Sequence, residues 1–255
     1  MSGWESPVKQ KLRAGETVIA GTVTVASPEV ASHMATLGFD FLWVEMEHSP
    51  ITLETLRNIV LATRGLPAMT FARVPVNELW TAKRVLDAGV SGVMFPFTST
   101  PELAAQAAAA CRYPPHGRRG SGAGLARLTW PDPNYADSAD ENITVIAIIE
   151  EARAVERIDE IAATPGIDAL FTGTSDLSFS LGLRGDQKDP RLHEAIAKVV
   201  AAGKKHGKAL GRPGGTPEQV HEYRKQGFQL FQAITDLGLI TAGAKKYFDA
   251  LGANR

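Results

Sequence analysis

One cysteine, Cys111, stands in the whole chain. A single thiol excludes an internal disulfide and a cysteine-rich zinc site, and Cys111 is expected to pack as a small hydrophobe. Neither sign of charge prevails, with 27 basic residues against 28 acidic ones. Nucleic-acid or membrane-surface binding would favour a basic surplus, so the balance supports neither. No run approaches the ~18 apolar residues of a membrane span. Met1 to Gly15 has no apolar core of signal-peptide length. The chain is accordingly expected to be cytoplasmic. Linkers and repeats are missing too, so residues 1–255 are expected to form a single domain.

What is present is an alternation. Short apolar runs, eight in all, read as strands: Thr17–Val25, Phe39–Glu45, Ala68–Arg73, Gly92–Phe95, Ile143–Glu150, Ile167–Thr172, Lys208–Gly211 and Gln229–Ile234. Most are apolar on both faces, as strands between helices and a barrel interior should be. Ser6-Pro7 opens a short helix that ends before Gly15. Longer helical patterns follow each strand, among them Pro28–Leu37, Thr52–Thr63, Glu78–Ala88, Pro101–Cys111 and Pro190–His206. Eight strand–helix units in this length predict a (β/α)8 TIM barrel, with an open doubly wound sheet as the runner-up. One long irregular stretch, Tyr113 to Asn142, breaks the rhythm and reads as a functional loop or lid anchored by Tyr113, Trp130 and Tyr135. Within it "GRRGSGAG", Gly117 to Gly124, lacks the GK[ST] ending of a P-loop and reads as a turn-rich loop near the site.

A barrel of this kind carries its site at the C-terminal ends of the strands. Glu45 ends strand two, with Glu47 and His48 just beyond; Arg73 ends strand three, and Glu150 ends strand five. Strand six runs into "GTSDLS", Gly173 to Ser178, and strand seven into Arg212. Buried charges must be paired or bind a metal. Glu150 and Asp176 follow consecutive strands, which lie about 4.8 Å apart. A divalent cation between them would relieve their repulsion; oxygen ligands favour Mg²⁺ or Mn²⁺, less often Co²⁺. Helix capping by either carboxylate is the alternative. Arg73 suits a salt bridge to Glu45 or Glu47, or binding of a carboxylate or enolate oxygen. His48, in a loop among carboxylates, suits proton transfer or simply a solvated surface. No predicted strand ends in lysine, so a Schiff-base aldolase is poorly supported.

Three motifs together carry a resemblance: "EHSP" at Glu47–Pro50, "RYPPHGRRGSG" at Arg112–Gly122 and "GTSDLSFSLG" at Gly173–Gly182. The chain resembles, over nearly its whole length, the HpcH/HpaI aldolase family, metal-dependent (class II) pyruvate aldolases of the 4-hydroxy-2-oxoheptanedioate aldolase type. The resemblance implies that Glu150 and Asp176 hold the metal and that Arg73 holds the pyruvyl oxygen. It implies His48 as the acid/base, acting directly or through a water, paired with Asp87 from a neighbouring subunit. On the residues alone Asp87 is an ordinary surface carboxylate near a helix end. It further implies that the backbone N–H groups of Ser175 and Asp176 bind the substrate carboxylate and that the assembly is a hexamer, a trimer of dimers.

Departures from the family pattern are Glu45 where Asp is frequent, Ile148 in place of Gln, Thr174 in place of Pro, and the added charge of Arg212. They leave the metal ligands and the base in place and bear on substrate preference, through the hydrogen bonding of the metal's water or through selection of a different acceptor aldehyde. The expected reaction joins or separates an aldehyde and pyruvate, or a hydroxypyruvate-like donor. Two rivals are a CoA-thioester lyase of the citrate lyase β and malyl-CoA lyase type, and a non-catalytic metabolite-binding barrel.

Overall fold

The computed structural model describes residues 4–252. Its strands are β1 (Val18–Val23), β2 (Phe41–Glu45), β3 (Met69–Arg73), β4 (Gly92–Phe95), β5 (Thr144–Ile149), β6 (Ala169–Thr172), β7 (Ala209–Pro213) and β8 (Leu230–Thr235). Each pairs in parallel with the next, and β8 returns to β1, closing the barrel. The (β/α)8 expectation therefore holds, and the open doubly wound sheet does not.

The helices are α1 (Pro7–Arg13), α2 (Pro28–Met34), α3 (Leu53–Thr63), α4 (Leu79–Ala88), α5 (Pro101–Ala110), α6 (Gly124–Thr129) and α7 (Tyr135–Asn142). They continue as α8 (Ala152–Glu156), α9 (Ile158–Ala163), α10 (Thr174–Ser180), α11 (Pro190–Lys205), α12 (Pro217–Gln226) and α13 (Asp236–Ala250). Their starts follow local chemistry. Ser6, Ser27, Thr52, Thr100, Thr216 and Thr235 each accept a first-turn N–H at the N-cap, and four of these six precede a proline at the first helical position.

Strand alternation divides the apolar residues into two shells. Phe41, Trp43, Met69, Phe71, Ile146, Ile148 and Phe171 fill the barrel interior. Leu42, Val44, Ala72, Val93, Val145, Ala147 and Leu170 face the helices. The interior is tight: a Cβ on Gly92 would come within 2.4 Å of the Phe71 ring, so the glycine is a packing requirement. Helix α1 plugs the end of the barrel where the strands begin, with Val8 and Leu12 joining the interior cluster. Its Lys9 is buried there; Nζ donates to the Ile143 carbonyl at 2.8 Å and pairs with Asp168 at 3.1 Å. Burial depresses the Lys9 pKa, and Asp168 opposes that shift.

Two expectations for the Tyr113–Asn142 stretch are corrected. It is not structureless, since it contains α6 and α7. Nor does it cover the strand ends. It joins the end of α5 to the start of β5, and both lie at the opposite end of the barrel from the C-terminal strand ends. There Trp130 stacks on Trp4 at 4.6 Å between ring centroids, and Asn142 bonds the backbone of Trp4 and Ser6. The buried guanidinium of Arg119 sits over the rings of Tyr113 and Tyr135. The anchoring role of the three aromatic residues holds; the lid does not, and the "GRRGSGAG" loop lies away from this chain's own strand ends. Cys111 is buried beneath this end, and burial pushes its thiol up to about 12, so it packs as an inert hydrophobe.

Replacing Lys9 by Ala leaves Asp168 and a buried carbonyl without their cation, so the fold should lose about 3 kcal/mol in urea unfolding. Lys11→Ala, which breaks a half-exposed pair with Asp40, should cost under about 1 kcal/mol.

Candidate active site

The parallel register brings Glu45 and Arg73 side by side at the ends of β2 and β3. Glu45 is buried and fully engaged. Its Oε1 accepts the N–H groups of Glu47 (2.8 Å) and His48 (3.0 Å). Its Oε2 accepts Trp43 Nε1 (3.2 Å) and Arg73 Nε (2.7 Å). Ser49 Oγ donates to the Glu45 carbonyl, closing the turn. Glu45 is thus the clamp that shapes the loop and fixes the arginine. Glu47 adds a second contact, Oε2 to Arg73 Nη1 at 3.1 Å. Burial raises the Glu47 carboxyl pKa, with Arg73 pulling the other way. Nε is thus hydrogen-bonded and Nη1 ion-paired, while no described residue takes Nη2, and Arg73 lines the cavity.

Glu150 follows β5 and is buried with far less compensation. Its Oε1 accepts a single hydrogen bond, from Phe97 N–H at 2.7 Å. Phe97 reaches it from a left-handed backbone, φ 47°. That conformation costs a bulky residue roughly 1 kcal/mol or more. Gly173 leaves room for the carboxylate, because a Cβ there would come within 2.9 Å of Glu150 Oε2. Burial, then the charges of Glu47 and Asp176, push Glu150 up to about 7, against the opposing pulls of the Phe97 N–H and Arg73.

Asp176 sits in the first turn of α10, which starts at Thr174 after the Gly173 N-cap. The first N–H groups of a helix have no carbonyl partner within it, so those of Ser175 and Asp176 face outward unpaired. One cavity at the strand ends collects His48, Arg73, Glu150, Ser175 and Asp176 over a floor of Trp43, Ile148, Phe171 and Gln232. The His48 side chain is 62% exposed, with Nε2 3.7 Å from Glu47 Oε2, so it stands at the mouth. Among the described residues no three His, Cys, Asp or Glu side chains form a metal cage by themselves. A cation at Glu150 and Asp176 would therefore take its remaining ligands from substrate and water.

Asp87 is not in this cavity. It lies near the end of α4, toward the strand starts, with its Oδ1 3.2 Å from Arg119 Nη2. Arg212 also departs from its expected place: it belongs to β7 and points outward, between barrel and helices, because Gly211 and Pro213 take the inward positions. Asp236, after β8, is structural; it accepts Thr24 N–H and Val25 N–H at 2.7 Å each. Sequence reasoning assigned no role to the floor residues Trp43 and Gln232. Strand parity carries the signal for them, since each lies an even number of residues from an inward-facing neighbour.

A family model described as HpcH/HpaI aldolase/citrate lyase matches residues 23–242. The chain belongs to this family. The 5-keto-4-deoxy-D-glucarate aldolase of Salmonella arizonae is 35% identical over 242 residues, 94% of each chain. The crystal structure of a HpcH/HpaI aldolase/citrate lyase family protein from Burkholderia cenocepacia J2315 superposes with a TM-score of 0.90. It is 33% identical and covers 97% of this chain and 100% of its own. A structure described as citrate synthase SbnG is 26% identical with a TM-score of 0.86, covering 96% of this chain and 97% of its own. This aldolase is a carbon–carbon lyase, which sets aside the non-catalytic binding barrel.

The raised pKa of Glu150 has a consequence for stability without metal. The unfolded carboxyl titrates near 4.5 and the folded one near 7, so the unfolded state holds fewer protons between those values. Stability from this group is greatest below about pH 4.5 and falls as pH rises through 7. Glu150→Gln should therefore gain on wild type between pH 5 and pH 8 in EDTA, by up to roughly 3 kcal/mol. Urea midpoints that differ equally at both pH values would show that Glu150 titrates normally.

Proposed function

We propose that this chain is a divalent-metal-dependent aldolase that cleaves a 4-hydroxy-2-oxo acid into pyruvate, or hydroxypyruvate, and an aldehyde. The observation that carries the reading is Glu150, a buried carboxylate with one hydrogen bond and a pKa near 7, set beside Asp176 in a cavity that also holds Arg73 and His48. A divalent cation would supply the missing compensation, and two carboxylates suit Mg²⁺ or Mn²⁺. When bound there, the cation is a Lewis acid that draws electron density from the 2-oxo group.

The chain's own residues divide the remaining work. The first-turn N–H groups of Ser175 and Asp176 bind the substrate carboxylate at the α10 N-terminus. Arg73, oriented by Glu45 and Glu47, directs Nη2 at the oxo oxygen, where negative charge develops. His48, at the mouth, takes the proton of the C4 hydroxyl. The C3–C4 bond then breaks, the C4 carbon leaves as the aldehyde, and the bond's electron pair forms the enolate. A proton returned to C3 gives pyruvate. Asp87 cannot act on His48 of its own chain from the far end of α4; in a hexamer it would serve a neighbouring copy.

The name of the Salmonella relative's substrate supports the class. Numbered from its keto end, 5-keto-4-deoxy-D-glucarate is itself a 4-hydroxy-2-oxo acid with a second terminal carboxylate. For this chain, Ile148 and Phe171 make the inner floor apolar.

Pyruvate release from 4-hydroxy-2-oxo acids tests the proposal. Activity should vanish in EDTA and return with Mg²⁺ or Mn²⁺. Glu150→Gln should lower kcat by roughly 100-fold or more at any metal concentration, the scale of removing one electrostatic partner of the transition state. Full activity in excess chelator would overturn the reading.

A further inference from the structure

Arg212 is a buried charge that the described residues leave unpaired. It is 8% exposed, yet it forms no ion pair and donates no hydrogen bond to any described residue. Its Nε is sealed from water without an acceptor. The guanidinium lies flat against Tyr223, 3.5 Å from the ring centroid, with Phe228 at 5.3 Å. Stacking recovers part of the lost hydration but gives the N–H groups no acceptor. An arginine does not escape by losing its proton. A buried guanidinium without an anion is an expensive arrangement, and a bound anion is the usual remedy.

The surroundings fit an anion. Arg212 lines a cavity between β7, α11 and α12, together with His193, Gln187 and Gln219. Among the described residues no aspartate or glutamate lines it. The adjoining groove between α11 and α12 adds Lys204 and, among the described residues, again no carboxylate. Amide groups and a histidine around a preoriented guanidinium match the oxygens of a carboxylate or phosphate. The cavity shares Thr174 and Pro213 with the catalytic cavity on the other side of the β7 strand end.

We infer that the cavity under Arg212 is a binding site for the carboxylate or phosphate group of a small molecule, separate from the pyruvyl site and walled from it by Thr174 and Pro213. The site stands whatever 2-oxo acid the catalytic cavity takes. The fork of Arg212 supplies the charge, Tyr223 holds the fork in plane, and Gln219 offers a further N–H donor.

Calorimetric titration of the full chain with inorganic phosphate and with malonate, in Mn²⁺ and saturating pyruvate, tests the site. At least one of the two anions should bind while pyruvate is present. Arg212→Met should weaken that binding by roughly tenfold or more, as loss of charge-assisted hydrogen bonds does. Gln219 is exposed, so Gln219→Glu should fold normally while giving Arg212 an internal partner; it decides the matter if Arg212→Met is unstable, and should also lose the anion. Anion binding that is absent in wild type, displaced one-for-one by pyruvate, or unchanged in the deciding variant would overturn the inference.

Discussion

The carboxylate of Glu45 is the contact on which the rest of the strand-end rim depends. It takes donors from four residues, Trp43, Glu47, His48 and Arg73. Three of the four lie within three residues of it, and the fourth is its register partner on β3. A buried charge with four donors is compensated, and each donor is fixed in return. Arg73 is thereby fixed at the cavity wall, and the turn that follows sets His48 at its mouth.

Glu150 is the counterpart. It stands one residue past the end of β5 and is as deeply buried as Glu45, but it receives one hydrogen bond instead of four. The difference between the two carboxylates is what separates a structural clamp from the proposed metal ligand. Desolvation raises the Glu150 pKa until something positive arrives, and Asp176 nearby adds to the same demand. The strained turn at Phe97 is built around this carboxylate, since its N–H is the one donor Glu150 has.

Barrel topology then decides which features meet. Parallel strands deliver their C-terminal ends to one rim, and the helices between strands carry the chain back to the other. Anything inserted between a helix and the next strand must lie at the far rim. This holds for the whole 113–142 excursion, and Asp87, in the last turn of α4, meets Arg119 at the same rim. Parity within a strand decides the rest: Ile148 faces the cavity, while Arg212 turns outward onto Tyr223.

Much of this molecule was legible in its sequence. The eight apolar runs, their caps and prolines, and the polar residues closing each run predict the barrel and the rim that carries Glu45, Arg73 and Glu150, because periodicity and capping are local physics. The pairing of Glu45 with Arg73 was open among alternatives until register settled it. The excursion was misread as a lid because irregular composition says nothing about which end of a barrel a loop occupies, although its place between helix and strand does. The helices α6, α7 and α10 were missed because they are short, and short helices are held by packing more than by propensity. Sequence alone determined which residue types reach the strand ends. Tertiary structure decided which of those charges are satisfied and which are left wanting a partner, because compensation depends on donors brought in from other strands.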